Sequence, residues 1–458
     1  TGSASSDNRL AFVELHDAGT STFGDPAGIA VVGSSRLQVE SSTIADNAGI
    51  GIIAEGGAEL TMNTTSISGS DAPLLVEIET VGNIAGDNAL TGNSEDVVQV
   101  TGTTIATNAS WVDLGVPLVM ADEVRIDAHL ELAEGVEIQM GQERSIRVGE
   151  SGAMTASGTA DAPVLFTGQV GESGYWQGIE FASNTADNVL DSSVVENAGS
   201  NPWTGDPDSI AALRVPESGK LTLRDSTVRG SGHYGLIAGG GSDIEGLSGN
   251  VFAGNARVMV VHPDLVGSIG SDNDFADNDE AFVRVTFSNN DRVETAQTWT
   301  DPGVPVHIND RTYVEAPLTL EAGLILQFDQ NASLRVTPGG TLTAAGTADR
   351  PVLMTGAEPL AGYWMGLQFG TISADNRLEH TRVEYAGGDA WQGGDDKEAA
   401  VFLGGSQLDA LVELVDTTIA DSAGHGVFVQ DDDSSVSCSG VQFEAIAKDN
   451  LSGPGQCG

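Results

Sequence analysis

Two adjacent carboxylates and a downstream histidine are the residues here best placed by type and spacing to do chemistry. Asp395 and Asp396 precede the tripeptide Gly424-His425-Gly426. Paired carboxylates can share acid and base duties across a scissile bond, and an imidazole beside them can tune one of the two. A second set joins an indole to acids in Gly-containing loops: Trp203 with Asp206 and Asp208, and Trp391 with Asp395 and Asp396. A sugar ring could stack on such an indole while the acids bond its hydroxyls. A third set, Asp272, Asp274, Asp277, Asp279 and Glu280, packs five acids into nine residues together with Asn273 and Asn278. Ca2+ takes six to eight oxygen ligands, and such a loop could supply several. The seven histidines show neither His-x-His nor His-x3-His spacing, which argues against zinc.

Each set also has a plainer reading. The Gly-x-Gly turn around His425 recurs as Gly49-Ile50-Gly51 and in extended form as Gly232-His233-Tyr234-Gly235, so it can be a structural turn. The two tryptophans can fold back over the chain, and the acid-rich loop can be a solvated turn. For a lyase, which needs an Arg or Lys to take a proton beside acidic metal ligands, Arg382 and Lys397 are the basic residues to consider.

The elements that must carry these residues are short strands in a long repeat. Trp111, Trp176 and Trp203 recur 188 positions later as Trp299, Trp364 and Trp391, which accounts for all six tryptophans. Gly158-Thr159-Ala160-Asp161-Ala162-Pro163-Val164-Leu165 returns at the same offset as Gly346-Thr347-Ala348-Asp349-Arg350-Pro351-Val352-Leu353. Asp187-Asn188 matches Asp375-Asn376, and Asp7-Asn8 begins a partial third copy. This predicts one continuous solenoid over 1–458, made of a partial unit (1–110), a full unit (111–298) and a last unit (299–458). The mid-unit start suggests a longer natural protein. Within each unit, alternating runs such as Leu221-Thr222-Leu223 lead to motifs such as Ser226-Thr227-Val228 and then to a glycine turn. Period-2 runs punctuated by Gly, Asn and Asp, on a beat of about 20–25 residues, predict an all-β coil stack.

The string Gly174-Tyr175-Trp176-Gln177-Gly178-Ile179-Glu180-Phe181, then Asp187-Asn188-x-Leu190 and Val195-Glu196-x-Ala198-Gly199, resembles the bacterial right-handed parallel β-helix repeat family. That family includes secreted surface proteins and pectate-lyase-like enzymes, so the resemblance implies a fold more than a function. Asp395-Asp396 and Gly424-His425-Gly426 resemble elements of polygalacturonase-type glycosidases. No Asn-Thr-Asp-like element precedes Asp395, however, and no Arg-Ile-Lys-like element follows His425.

Composition limits the partners. With 66 acidic and 19 basic residues the net charge is −47, which repels nucleic acids and anionic membranes and suits a medium rich in salt or divalent cations. No apolar run is long enough to span a membrane as a helix. The only two cysteines, Cys438 and Cys457, read as one disulfide and point to an oxidising compartment. The expectation is therefore a secreted or cell-surface right-handed parallel β-helix that does not catalyse. It would serve as adhesin, glycan-binding module or structural spacer, with Ca2+ as its candidate cofactor and a glycan or another surface protein as partner. A polysaccharide lyase or glycosidase using Asp395, Asp396 and His425 is one alternative. A fibre subunit that associates end to end is another.

Overall fold

The computed structural model describes residues 8–19, 26–285, 291–391, 396–405, 408–455 and 457. Its contacts divide into two compact units, one mainly Thr1–Ile237 and the other mainly Val258–Gly458, which also exchange short segments between 238 and 257.

In the first unit each coil contributes three short strands, and each strand pairs in parallel with its counterpart one coil on. Val98–Thr101, Leu118–Met120, Glu137–Met140, Val164–Gly168 and Ser193–Glu196 form one such ladder. Alternation dictates its interior, because every second side chain of a strand faces inward. The inward column Val98, Leu118, Ile138, Phe166, Val195, Val228 and Phe252 is buried throughout. Trp111 opens another column, followed by Leu132, Ala156, Leu190 and Leu223.

The second unit repeats the plan. Leu118–Met120, Glu137–Met140, Ser145–Val148, Val164–Gly168 and Gly178–Phe181 have counterparts 188 residues on at Val306–Ile308, Ile325–Phe328, Ser333–Val336, Val352–Gly356 and Gly366–Phe369. Trp299 heads the column Leu320, Ala344, Leu378 and Leu414, so Trp111 and Trp299 have matching surroundings. Cys438 lies next in that column and is joined to Cys457, with the two Cα atoms 4.9 Å apart. Both units are parallel β-helices, as the sequence predicts. Among the described residues no helix is long and apolar enough to cross a membrane.

The corners explain two motifs seen in the sequence. At one corner of each coil a single residue takes positive φ: Ser41, Thr64, Ser192, Asp225, His380 and Asp416. The next residue is a buried Ser or Thr whose hydroxyl donates back to the carbonyl two positions earlier, as in Ser42 to Glu40 (2.8 Å), Thr65 to Asn63 (2.9 Å), Ser226 to Arg224 (2.8 Å) and Thr417 to Val415 (3.0 Å). This is the Ser/Thr of the Ser-Thr-Ile type motif. It satisfies a carbonyl that the bend takes out of the ladder.

The Asp-Asn motif works between coils. Asn188, fully buried, accepts from the Met154 amide (3.2 Å) and donates to the Ser183 carbonyl (3.1 Å), the Ser183 hydroxyl (2.8 Å) and the Lys220 carbonyl (3.0 Å). Asn376 accepts likewise from Leu342 and donates to Thr371. Truncating such a hub strands several buried polar groups. Asn188→Ala should therefore lower the unfolding free energy by about 3 kcal/mol, read from urea denaturation. A loss below about 0.5 kcal/mol would show that the hub is not needed.

Candidate functional site

The carboxylate–histidine set partly assembles, in the second unit. Asp395 lies outside the described residues. Asp396 sits at a positive-φ corner (71°) after Trp391 and is largely exposed, and Glu398 follows on the approach to the strand Ala399–Leu403. His425 begins the next strand, His425–Val429, in register with Ala399, and its amide donates to the Glu398 carbonyl (2.8 Å). Its ring is buried and its Nδ1 accepts from the Asp449 amide (3.2 Å), with the Asp449 carboxylate 3.5 Å away.

The sequence reading left out the residue that controls this cluster. Lys448 Nζ reaches both Asp396 Oδ1 (2.8 Å) and Glu398 Oε2 (2.5 Å). The bond to Lys448, followed by its charge, holds the Asp396 carboxyl below the usual carboxylate range, and the bond to Lys448 does the same for Glu398. The same two bonds raise the Lys448 ammonium. Lysine is scarce in this chain, at Lys220, Lys397 and Lys448 only, and that scarcity was the one available hint. Of the two basic residues considered for a lyase, Arg382 is engaged by Glu384 (2.5 Å) and Glu444 (3.1 Å).

Glycoside hydrolysis by a carboxyl pair needs one member kept protonated near neutral pH, which takes a raised pKa. Here both described carboxylates are pushed the other way. The cluster is built to pair charges.

The tryptophans were expected as exposed stacking faces, and the structure corrects this. Trp203 and Trp391 are 7% and 1% exposed. Their indole N–H groups donate to the carbonyls of Ala211 (2.9 Å) and Ala399 (3.1 Å), eight residues on in each case. A guanidinium covers each ring, Arg147 over Trp203 at 5.3 Å and Arg335 over Trp391 at 5.0 Å. An indole has one donor and a large apolar body, so burial against a strand end with that donor satisfied is its cheaper state. Asp206 and Asp208 stay exposed, and Asp206 caps the short turn Pro207–Ser209 by accepting from the Asp208 amide (3.0 Å).

The acid-rich loop is organised by its amides. Asn273 donates to the Leu247 (2.8 Å) and Gly270 (2.7 Å) carbonyls, Asn278 donates to the Phe275 carbonyl (2.9 Å), and Phe275 is buried. Asp274 accepts from the Ala276 amide (2.9 Å). Asp272, Asp274, Asp277, Asp279 and Glu280 are all exposed. Among the described residues no three His, Cys, Asp or Glu side chains group so as to hold a metal ion.

Replacing the clamp makes a direct test. In Lys448→Met, the Asp396 and Glu398 carboxyls should titrate at higher pH, back toward ordinary values, as read by carboxyl-carbon NMR. The stabilisation from these depressed carboxylates is present above their unfolded pKa values and is lost as pH falls through the folded ones. That from Lys448, whose pKa is raised, is present below its unfolded value and lost as pH rises through the folded one. Unchanged titration in the variant would show that Lys448 does not set these pKa values. Comparison with models of known protein families, and with curated proteins, finds none that matches this chain.

Proposed function

We propose that the chain is a non-catalytic, exported parallel β-helix of the secreted surface-protein kind, which acts by display. It holds its loops at fixed spacing on stacked coils as an adhesin, glycan-binding or spacer module. The observation that carries this reading is the Lys448 clamp. It keeps the described carboxylates of the most enzyme-like cluster ionised and mutually neutralised, which suits structure and not proton transfer. Repetition supports it too. Trp203 and Trp391 anchor equivalent loops, and weak contacts made by equivalent loops add through avidity. The disulfide and the acidic surface fit an oxidising, ion-rich exterior.

Calcium enters this reading as a counter-ion for a surface of net charge −47, whose self-repulsion opposes the compact state. Melting in CaCl2 should exceed melting in NaCl of equal ionic strength. Equal melting temperatures would remove calcium from the account.

The decisive experiment incubates the full chain with polygalacturonate, alginate and neutral polysaccharides, with and without Ca2+, and then screens the same preparation on a glycan array. Binding without release of reducing ends or unsaturated products is the expected result. Turnover that disappears in Asp396→Asn or Glu398→Gln would overturn the display reading.

A further inference from the structure

One outward column changes its charge between the two units while its backbone stays the same. In the first unit the column runs Arg125, Arg147, Glu180, Arg214 on consecutive coils. Arg147 lies between two carboxylates there, 3.5 Å from Glu123 and 3.5 Å from Glu180. Glu180 is almost buried and also pairs with Arg214. The group Glu123, Arg147, Glu180 and Arg214 is therefore neutral.

The equivalent column of the second unit, 188 residues on, runs Tyr313, Arg335, Gln368, Phe402. Arg335 keeps the pose of Arg147. Its Nε donates to Ser333 Oγ (3.1 Å), as Arg147 Nε does to Ser145 Oγ (3.4 Å), and each guanidinium lies over its loop tryptophan. Both carboxylates have gone, however. Gln368 stands where Glu180 stood, and its amide is spent on the Gly404 carbonyl (3.0 Å). Arg311, in register with Ser333, stands where Glu123 stood. The other former cation position is the buried Phe402.

The result is two arginines side by side with no ion pair to either among the described residues, in a protein with 66 acids. Asp310, the acid next to Arg311, accepts that residue's own amide (2.7 Å), and Arg292 over Tyr313 is paired with Glu315. Beyond Ser333, Arg335 has only the Met365 sulfur (3.2 Å), a weak acceptor. Burial first, and the charge of Arg311 second, hold the Arg335 guanidinium below its usual pKa. A partly buried cation facing another cation costs free energy unless an anion joins them.

We infer that Arg335 and Arg311 form a carboxylate-binding site on the second unit, in which a ligand supplies the negative charge that Glu123 and Glu180 supply on the first. The guanidinium fork matches a carboxylate in two parallel hydrogen bonds, which gives the site geometric selectivity as well as charge. Two sources carry that group, a uronate sugar and an acidic peptide side chain. The inference rests on the display reading only in giving that surface a ligand.

The test titrates the full chain with galacturonate, N-acetylglutamate and neutral galactose, followed by calorimetry and saturation-transfer NMR at low and at molar salt. Both carboxylates should bind and galactose should not. The tighter of the two names the source, and molar salt should weaken both. Arg335→Gln should weaken binding about tenfold or more, the loss expected for a charge-assisted fork. Gln368→Glu restores the charge found in the first unit. It should suppress binding while keeping or raising the melting temperature, which separates loss of the site from loss of the fold. Binding of galactose as tight as that of galacturonate, affinity unchanged in Gln368→Glu, or no binding by either carboxylate would overturn the site. The last of these, without turnover of any polysaccharide, would leave the display reading standing.

Discussion

The corners of each coil decide whether the stack can exist. Along its straight runs the chain satisfies its own amides and carbonyls against the coils before and after. At a bend the backbone leaves that ladder while still buried. A buried polar group without a partner costs about 1–3 kcal/mol, against a net stability of about 5–15 kcal/mol for a whole domain. A few unserved corners would therefore cancel the fold. The chain answers with side chains that act as backbone substitutes: Ser42, Thr65, Ser226 and Thr417 fold back on the carbonyl two residues earlier, and Asn188 and Asn376 reach to the next coil. Apolar columns supply the driving force, and these small polar residues make it usable.

Much of this was legible in the sequence, for physical reasons. Period-2 alternation marks inward columns because the strand has period 2. The Ser-Thr-Ile and Asp-Asn motifs are visible because each corner poses the same hydrogen-bonding problem and receives the same solution. Contacts between coils were much harder to read. Arg214 lies 34 residues from Glu180, whereas Ile138 lies 20 residues from Leu118, so no fixed spacing marks a neighbour. Lys448 is 52 residues from Asp396, and nothing in either local sequence announces the contact. The burial of Trp203 and Trp391 was equally hidden, because a Trp in a Gly-rich loop looks the same whether it covers the coil or faces solvent. The partners that fix each ring, Ala211 and Ala399 through their carbonyls, carry no side-chain signature.

Scarce cations are spent between coils. Arg9 with Glu40, Arg224 with Asp191, Arg229 with Glu196 and Arg377 with Glu413 each link neighbouring coils, and Lys448 joins the acids of one coil to the next. An exposed pair of this kind contributes little by itself. Its larger effect in so acidic a chain is to break up runs of like charge along a column, where in-register strands bring carboxylates close together. Pairing is then the default, and the second unit's unpaired arginines stand out against it.

The link between Cys438 and Cys457 also governs how tension would run through the second unit. The chain between the two cysteines includes the strands Gln442–Glu444 and Leu451–Ser452, which dock on Thr418–Ala420 and on Val427 and Phe428. A pull applied beyond Cys457 crosses the sulfur bridge straight to the strand Ser435–Ser439 and bypasses both enclosed strands. The first ladder to bear load is that of Ser435–Ser439 on Leu411–Val415, five residue pairs long, whereas Leu451–Ser452 offers only two. The bridge thus moves the point of mechanical failure from the weakest ladder to a longer one.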